Sequence, residues 1–195
     1  MPRKYDLGRR AETMAATRER ILTATIALHA EQGIVVTSYK DIAERADVGL
    51  GTVYHHFPTL DDLIMACGGR LLELTGPPGP EVFAGLRSSG ARIDRLVEEV
   101  FAWYERYPQW RRAICDADKS ETLCRGVARR NAVLRELIES ALGLGGSADT
   151  VTIVLALVNF EVYRTLIEAG VSTKAAAQRI GHVIQSSVSR RQDTP

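Results

Sequence analysis

The side chains best suited to chemistry lie in one short segment, residues 38–57, which reads SYKDIAERADVGLGTVYHHF. Its second half carries the hydrogen-bonding side chains Thr52, Tyr54, His55 and His56. Hydroxyl and imidazole groups of this size can contact phosphates and base edges in a DNA major groove, which is about 12 Å wide. The segment therefore favours hydrogen-bonded recognition of a nucleic acid.

The same sequence gives little support for a catalytic site or a metal-binding site. No two of the four histidines are four residues apart, and the three cysteines lack metal-ligand spacing. Neither a glycine-rich phosphate loop nor a nucleophile elbow is present. We expect no enzyme activity, no metal and no cofactor; a helical enzyme that binds a small molecule is the alternative. The odd cysteine count (Cys67, Cys115, Cys124) favours a reduced, cytoplasmic protein.

Two short helices should position the polar segment. Ser38 and Asp41 have the spacing of a capping box, which begins a helix that ends near Ala46. A turn at residues 47–49 follows, in which we expect Gly49 to adopt the backbone angles that other residues resist. The next helix covers Leu50 to Phe57, and a turn of this length between two helices is typical of a helix-turn-helix.

An amphipathic helix from Thr17 to Gln32 should pack on this pair, because its apolar residues recur at three- and four-residue steps. A small core is expected from Ile42, Ala43, Val48 and Val53. Spacing alone leaves open a structural helical hairpin whose polar face is incidental.

The segment resembles the DNA-binding head of the tetracycline-repressor (TetR) family. The resemblance covers about residues 18–63 and rests on Ser38, Asp41-Ile42-Ala43, Val48, Gly51-Thr52-Val53-Tyr54, Phe57 and Leu63. It implies an all-α fold with an N-terminal three-helix head and a C-terminal helical domain for ligand binding and dimerisation. We place the boundary between residues 1–59 and residues 60–195.

The resemblance also implies roles for individual head residues. Lys40 matches a position that reaches the groove or phosphates, and Thr52 and Tyr54 match phosphate-contacting positions, with His55 and His56 on the same face. Leu50 occupies a variable position where specificity is often set. The backbone at Ser38 is a candidate phosphate donor, since helix N-termini attract anions.

Two positions depart from the family pattern. Gly49 replaces the usual serine cap of the third helix, and Leu60 replaces a common lysine, with Asp61 and Asp62 after it. We therefore expect a weaker electrostatic hold on DNA at that edge. The net charge of the chain is only +1, so DNA binding must come from a local patch. The basic N-terminal stretch, a DNA-binding arm or a solvated tail, contains Arg3, Lys4, Arg9, Arg10, Arg18 and Arg20.

The remainder of the chain reads as helices separated by glycine and proline breaks. After a fourth helix from Leu60 to Thr75, residues 75–80 form the clearest break. Further helices are predicted at Ala91–Tyr107, from Pro108, and at Leu123–Leu142, Ala148–Ala169 and Thr173–Arg190.

The last two helices carry apolar stripes, and the resemblance implies that they form a four-helix bundle with a second copy of the chain. Val151 to Val158 is too short to span a bilayer, so we expect no membrane partner. Aromatic side chains with polar tips often line small-molecule cavities; ordinary core packing is the better explanation for any one of them, and only the group as a whole indicates a ligand site. The candidates for ligand binding are Phe101, Trp103, Tyr104, Tyr107, Trp110, Phe160 and Tyr163.

Taken with the resemblance, these features predict a homodimeric repressor that binds a palindromic, double-stranded DNA operator. A small hydrophobic or aromatic effector would release it. A DNA-binding protein that needs no ligand is the other alternative.

Overall fold

The protein is described by a computed structural model that covers residues 7–106, 121–143 and 147–192. Across these ranges the chain is helical and contains no β-strand, as the all-α prediction requires. The helices of the described chain are α1 (Leu7–Gln32), α2 (Tyr39–Ala46), α3 (Leu50–His56), α4 (Leu60–Thr75), α5 (Ser89–Arg106), α6 (Glu121–Leu142), α7 (Ala148–Leu157), α8 (Phe160–Glu168) and α9 (Thr173–Gln192), with a 3-10 helix at Pro80–Phe83.

The chain divides into two compact units. Among the described residues, the first unit contains the chain up to Leu74 together with the start of α6 as far as Gly126. The second unit contains the chain from Thr75 to the end of α5 and from Val127 onward. The first unit contains the helix-turn-helix segment and is called the head below; the second is called the body. The predicted helix from Pro108 lies outside the described residues.

The head is built around the apolar face of α1. Ile21, Ala24, Thr25 and Leu28 are all buried, as their spacing predicted. The three apolar residues of this set join Ile42, Ala43 and Val53 from α2 and α3 in one cluster, and the partly buried Val48 packs against it. The small core predicted for the two short helices is therefore present.

Helix α1 is longer than the sequence pattern indicated. It begins at Leu7 rather than Thr17, so Arg9 and Arg10 lie within the same helix as Arg18 and Arg20 instead of in an arm or tail. Because residues 7–16 are almost entirely exposed where their burial is described, apolar periodicity gave no signal for them. Arg3 and Lys4 lie outside the described residues.

The turn between α2 and α3 corrects a second expectation. Gly49 has an ordinary extended conformation, with φ −68° and ψ 146°, and it begins α3 without a side-chain cap. The left-handed residue is Asp47, with φ 52°, whose conformation lets the Val48 N–H donate to the Ala43 carbonyl at 3.0 Å. Aspartate tolerates this region better than most residues, since its short polar side chain can bond locally.

Helix α4 is continuous from Leu60 to Thr75, as predicted, and contains Gly68 and Gly69. A Cβ atom added at either glycine meets no described atom within 4 Å beyond the backbone of its own turn. Close packing against another described helix therefore does not explain why two glycines stand here. Their physical effect is to weaken α4 at this point, because glycine is a poor helix former.

In the body, α5 packs along α9 and contacts α8. Its predicted apolar stripe is buried: Ile93, Leu96, Val97, Val100, Phe101 and Tyr104. The Gln185 side chain on α9 donates from Nε2 to the Gly90 carbonyl at 3.2 Å and to Asp94 Oδ1 at 2.6 Å. These bonds tie the first turns of α5 to α9.

The helix predicted from Ala148 to Ala169 is two helices. Helix α7 ends at Leu157, and Asn159 begins α8 by accepting a bond from the Val162 N–H on its side-chain oxygen, at 2.9 Å. By length and composition the combined stretch Ala148–Glu168, of mean hydropathy 1.5, could cross a membrane. Its break at Asn159 divides it into pieces of 10 and 9 residues, each about half the ~20 residues that a spanning helix needs.

Candidate nucleic-acid interface

The start of α2 is fixed by the predicted capping box. Asp41 N–H donates to Ser38 Oγ at 3.2 Å, and Asp41 Oδ2 accepts from the Ser38 N–H at 2.9 Å. The bonds that the Asp41 carboxylate accepts from the Ser38 N–H and from the Ser38 hydroxyl, the latter at 2.7 Å, hold the pKa of this carboxyl below its usual value. The Ser38 N–H is therefore already bonded within the protein, so it is not free to donate to a phosphate as the sequence suggested.

Tyr39, which the sequence reading missed, connects α2 to α3. Its hydroxyl donates to the Phe57 carbonyl at 2.9 Å, and its ring lies 4.7 Å from the ring of Tyr54, centroid to centroid. Burial, with smaller contributions from Asp62 and Tyr54, raises the Tyr39 pKa to about 12, so the hydroxyl keeps its proton and remains a donor. The sequence showed only that a tyrosine directly follows the cap residue Ser38, and helical periodicity does not distinguish such a tyrosine from an ordinary surface residue.

The predicted DNA-contacting residues are accessible to different degrees. Tyr54 is 52% exposed and Leu50 is 44% exposed, although both are large and partly apolar. Lys40 and His55 are exposed, while Thr52 and His56 are half-buried. A large aromatic and a leucine left in solvent on one short helix favour a surface that contacts another molecule.

Some positively charged side chains of the head already contact acidic or aromatic side chains of the protein. Lys40 lies 3.9 Å from Glu44 in an exposed pair, which holds it weakly. Arg45 makes a two-pronged bond to Glu31, at 2.9 and 2.7 Å. The Arg18 guanidinium lies 5.0 Å above the Phe57 ring centroid.

The electrostatic setting of His56 keeps it neutral. Burial lowers its pKa, and the nearby His55 and Arg18 lower it further. His56 is therefore a neutral hydrogen-bonding group near neutral pH. Its ring stands edge-on to His55, at 5.5 Å between centroids.

The acidic start of α4 has a structural use. Asp62 Oδ2 accepts from the Thr59 N–H at 3.2 Å and from its hydroxyl at 2.7 Å, while Asp62 N–H donates to Thr59 Oγ1 at 3.1 Å. Thr59 and Asp62 thus form a second capping box. The position of the lysine that is common in the family pattern, two residues before Asp62, is occupied by Leu60. Leu60 itself is exposed.

In the body, the structure brings five of the seven candidate ligand-binding aromatics together. Tyr104 lies at the centre, 5.2 Å from Phe160, 5.5 Å from Trp103, 5.6 Å from Tyr163 and 6.4 Å from Phe101, centroid to centroid. All five are buried, so they form a continuous apolar core between α5 and α8. Tyr107 and Trp110 lie outside the described residues.

Fold and head geometry together define a helix-turn-helix protein of the all-α class. Residues 21–67 match the family model for bacterial regulatory proteins of the tetR family. The HTH-type transcriptional repressor KstR of Rhodococcus jostii (strain RHA1) is 39% identical over 86 residues, which are 42% of this chain and 41% of that protein. Over these residues the chain is similar to transcriptional regulators of the TetR family.

Solved structures share the fold over most of the chain. A crystal structure described as a TetR-family transcriptional regulator from Rhodococcus sp. is 21% identical, covers 89% of this chain and 99% of its own, and superposes with a TM-score of 0.69. A regulator from Saccharomonospora viridis in complex with choline is 17% identical, covers 88% and 96%, and has a TM-score of 0.65. The sequence match to KstR spans about two-fifths of that relative's length.

Proposed function

We propose that the protein is a cytoplasmic, DNA-binding transcriptional repressor, without enzyme activity, that binds a palindromic operator as a homodimer and is released by a small hydrophobic or aromatic effector. The observation that carries the proposal is the exposed face of α3, where Tyr54, Leu50 and His55 meet solvent beside Lys40 of α2. Thr52 and His56 border this face. The match of the head to the TetR model and the repressor name of its relative support DNA as the partner.

The size of α3 supports a dimer. Helix α3 has seven residues, which at 1.5 Å per residue is about 10 Å, or roughly three base pairs. Three base pairs recur far too often in a genome to specify a site. Two heads that contact half-sites one helical turn apart, about 34–36 Å, double the information read.

The last helix offers a surface for the second copy. Val183 on α9 is 45% exposed, and Ile180 and Val188 on the same helix are half-buried. A shallow groove adjoins them and is lined by Thr150, Ile153, Val154, Ile184, Ser187 and Val188. An apolar helix face of this kind loses unfavourable water contact when it pairs with its symmetry mate.

The aromatic cluster of the body supports an effector site. Tyr104 and Tyr163 combine apolar ring faces with polar hydroxyls, the combination that small-molecule sites use. The S. viridis structure, which shares the fold, is in complex with choline. A ligand that binds one arrangement of the body better than another would shift the population of that arrangement and change DNA affinity by the same factor.

The test starts from a random library of double-stranded DNA, from which the purified chain selects its preferred duplex. Fluorescence anisotropy with that duplex then compares the wild-type protein with Tyr54→Ala. We expect at least a tenfold loss of affinity, because the variant removes an exposed ring from the proposed contact face. Leu74→Ala is the control, since Leu74 is 54% exposed in the same unit but lies at the end of α4.

Sedimentation equilibrium should give twice the chain mass of 21.4 kDa for the wild type and for Tyr54→Ala. Unaltered duplex binding by Tyr54→Ala would contradict the assignment of this face. Enrichment of no sequence from the library, or a monomer at micromolar concentration, would contradict the operator or the dimer.

A further inference from the structure

Arg130 on α6 is a charged side chain inside the body, with 5% of its surface exposed. Buried charges are normally neutralised by a partner of opposite sign, because an uncompensated charge in the protein interior strongly destabilises the folded state. In the part of the chain that the structure describes, Arg130 takes part in no ion pair. Its bonds run from Nε and Nη2 to the side-chain oxygen of Asn131, at 3.3 and 2.9 Å.

The other end of the guanidinium, Nη1, is fully buried and has no hydrogen-bond partner among the described residues. Buried polar atoms without a partner are rare in folded proteins, and each is a candidate contact for a bound molecule. Arginine does not lose its proton in proteins, so the group at this position is a permanent cation with an unused donor.

Tyr104, at the centre of the aromatic cluster, and Glu161 of α8 are the groups whose charge acts on Arg130. Burial lowers the Arg130 pKa, and these two groups oppose that change. Reciprocally, burial raises the Tyr104 pKa to about 12 and the positive charge of Arg130 opposes that change. Arg130 is therefore near enough to Tyr104 for the charge of one group to act on the other.

Glu161 does not neutralise Arg130. Its Oε2 is bonded to Arg164, at 2.6 Å from Nη2 and 3.0 Å from Nε, and Arg164 also contacts Glu168 at 2.9 Å. Two of the carboxylates of α8 are thus held by Arg164, which is on the same helix. Arg164 offsets only one of these two negative charges, so Glu161 still acts on Arg130 from a distance, but no carboxylate of the described residues forms an ion pair with the Arg130 guanidinium.

We propose that Arg130 binds the carboxylate of an apolar or aromatic acid whose hydrocarbon part contacts the aromatic cluster around Tyr104. The guanidinium fork matches a carboxylate and forms charge-assisted bonds about twice as strong as neutral ones. A ligand anion would neutralise Arg130 and satisfy Nη1 in one step, whereas a cation would meet like charge. That this acid is the effector rests on the function proposed above; the binding site itself does not.

Isothermal titration calorimetry on the full chain tests the site with a matched pair of probes, 3-phenylpropionate and 3-phenylpropionamide. The two probes share ring and length but differ in charge. We expect the wild type to bind the acid at least tenfold more tightly than the amide. Arg130→Gln should bring the two affinities within about twofold, whereas Arg129→Gln, which alters the exposed neighbour on α6, should keep the wild-type ratio.

Equal affinity of the wild type for acid and amide, or binding of neither, overturns the proposal. So does a ratio that Arg130→Gln leaves unchanged. If Arg130→Gln fails to fold, Arg130→Lys replaces it: a lysine keeps the charge but loses the fork, so the preference for the acid should fall and remain above one. An unchanged ratio in a folded Arg130→Lys variant overturns the two-pronged contact.

Anisotropy with the selected duplex separates this site from the proposed function. Release of the duplex by the acid in the wild type, and retention in Arg130→Gln, supports the acid as effector. Acid binding without release overturns the effector role and leaves the site in place. A failure to select any duplex overturns the DNA-binding proposal, while calorimetry still decides the site.

Discussion

The Tyr39→Phe substitution isolates one bond that joins the two short helices of the head, α2 and α3. It removes the hydroxyl that donates to the Phe57 carbonyl at 2.9 Å, and it keeps the ring that lies 4.7 Å from Tyr54. A hydrogen bond between neutral groups contributes about 0.5–1.5 kcal/mol net. Tyr39 is half-buried, so water can partly replace the lost bond at the carbonyl, and we expect a loss of about 1 kcal/mol.

Amide hydrogen exchange measured by mass spectrometry suits this test, because it reports the local opening of each segment separately. A loss of about 1 kcal/mol corresponds to roughly fivefold faster exchange in peptides that cover α2 and α3. Tyr163→Phe is the control: it makes the same chemical change in the body and should leave exchange in the head unaltered.

Tyr39→Ala extends the series, since it removes the ring as well. We expect a further loss of stability of about 1–2 kcal/mol and, unlike Tyr39→Phe, a clear loss of duplex affinity because Tyr54 loses the ring beside it. Exchange in α2 and α3 that is the same in wild type and Tyr39→Phe would refute a stabilising role for the bond. Equal duplex binding by Tyr39→Ala and Tyr39→Phe would refute the role of the ring.

Two further predictions concern charge. Lys40→Ala should reduce the slope of log affinity against log salt for the selected duplex by about 0.9, the value for one lost phosphate contact. The control is Lys174→Ala, which alters an exposed lysine of the body and should leave the slope at the wild-type value. Equal slopes for the two variants would show that Lys40 does not contact the duplex. The pKa of His56 is lowered, so below its usual value of 6.5 the unfolded chain binds more protons than the folded one, and stability falls as the pH falls. Between pH 7.5 and 5.5 the thermal midpoint of His56→Gln should therefore drop less than that of the wild type, with His182→Gln as control; identical drops in all three would mean that His56 does not contribute.

The head was largely predictable because its determinants are local. Ser38 and Asp41 form a capping box that depends on two residues three positions apart, and the structure contains it. The buried face of α1 from Ile21 to Leu28 follows from helical periodicity. Spacing alone left open a structural hairpin or a DNA-binding head, and the resemblance to a family motif with fixed spacing favoured the DNA-binding head.

What the sequence did not reveal depends on tertiary contacts or on weak local preferences. The choice of Asp47 over Gly49 as the left-handed residue is set by where α2 ends. Asn159 interrupts a long apolar run because its side chain caps the start of α8. A single asparagine in such a run is not enough to predict that the helix ends there. Arg130 reads as one more surface arginine on α6, since only the packing of other helices buries it.

Phe57, at the end of α3, is held from two directions. The guanidinium of Arg18 on α1 covers its ring, and Tyr39 on α2 holds its backbone carbonyl. These anchors oppose a tilt of α3 that does not carry α1 and α2 along. Under the function proposed above, we therefore expect control of DNA binding to act through the placement of entire heads along the duplex, with the geometry of each half-site contact constant between the bound and released states.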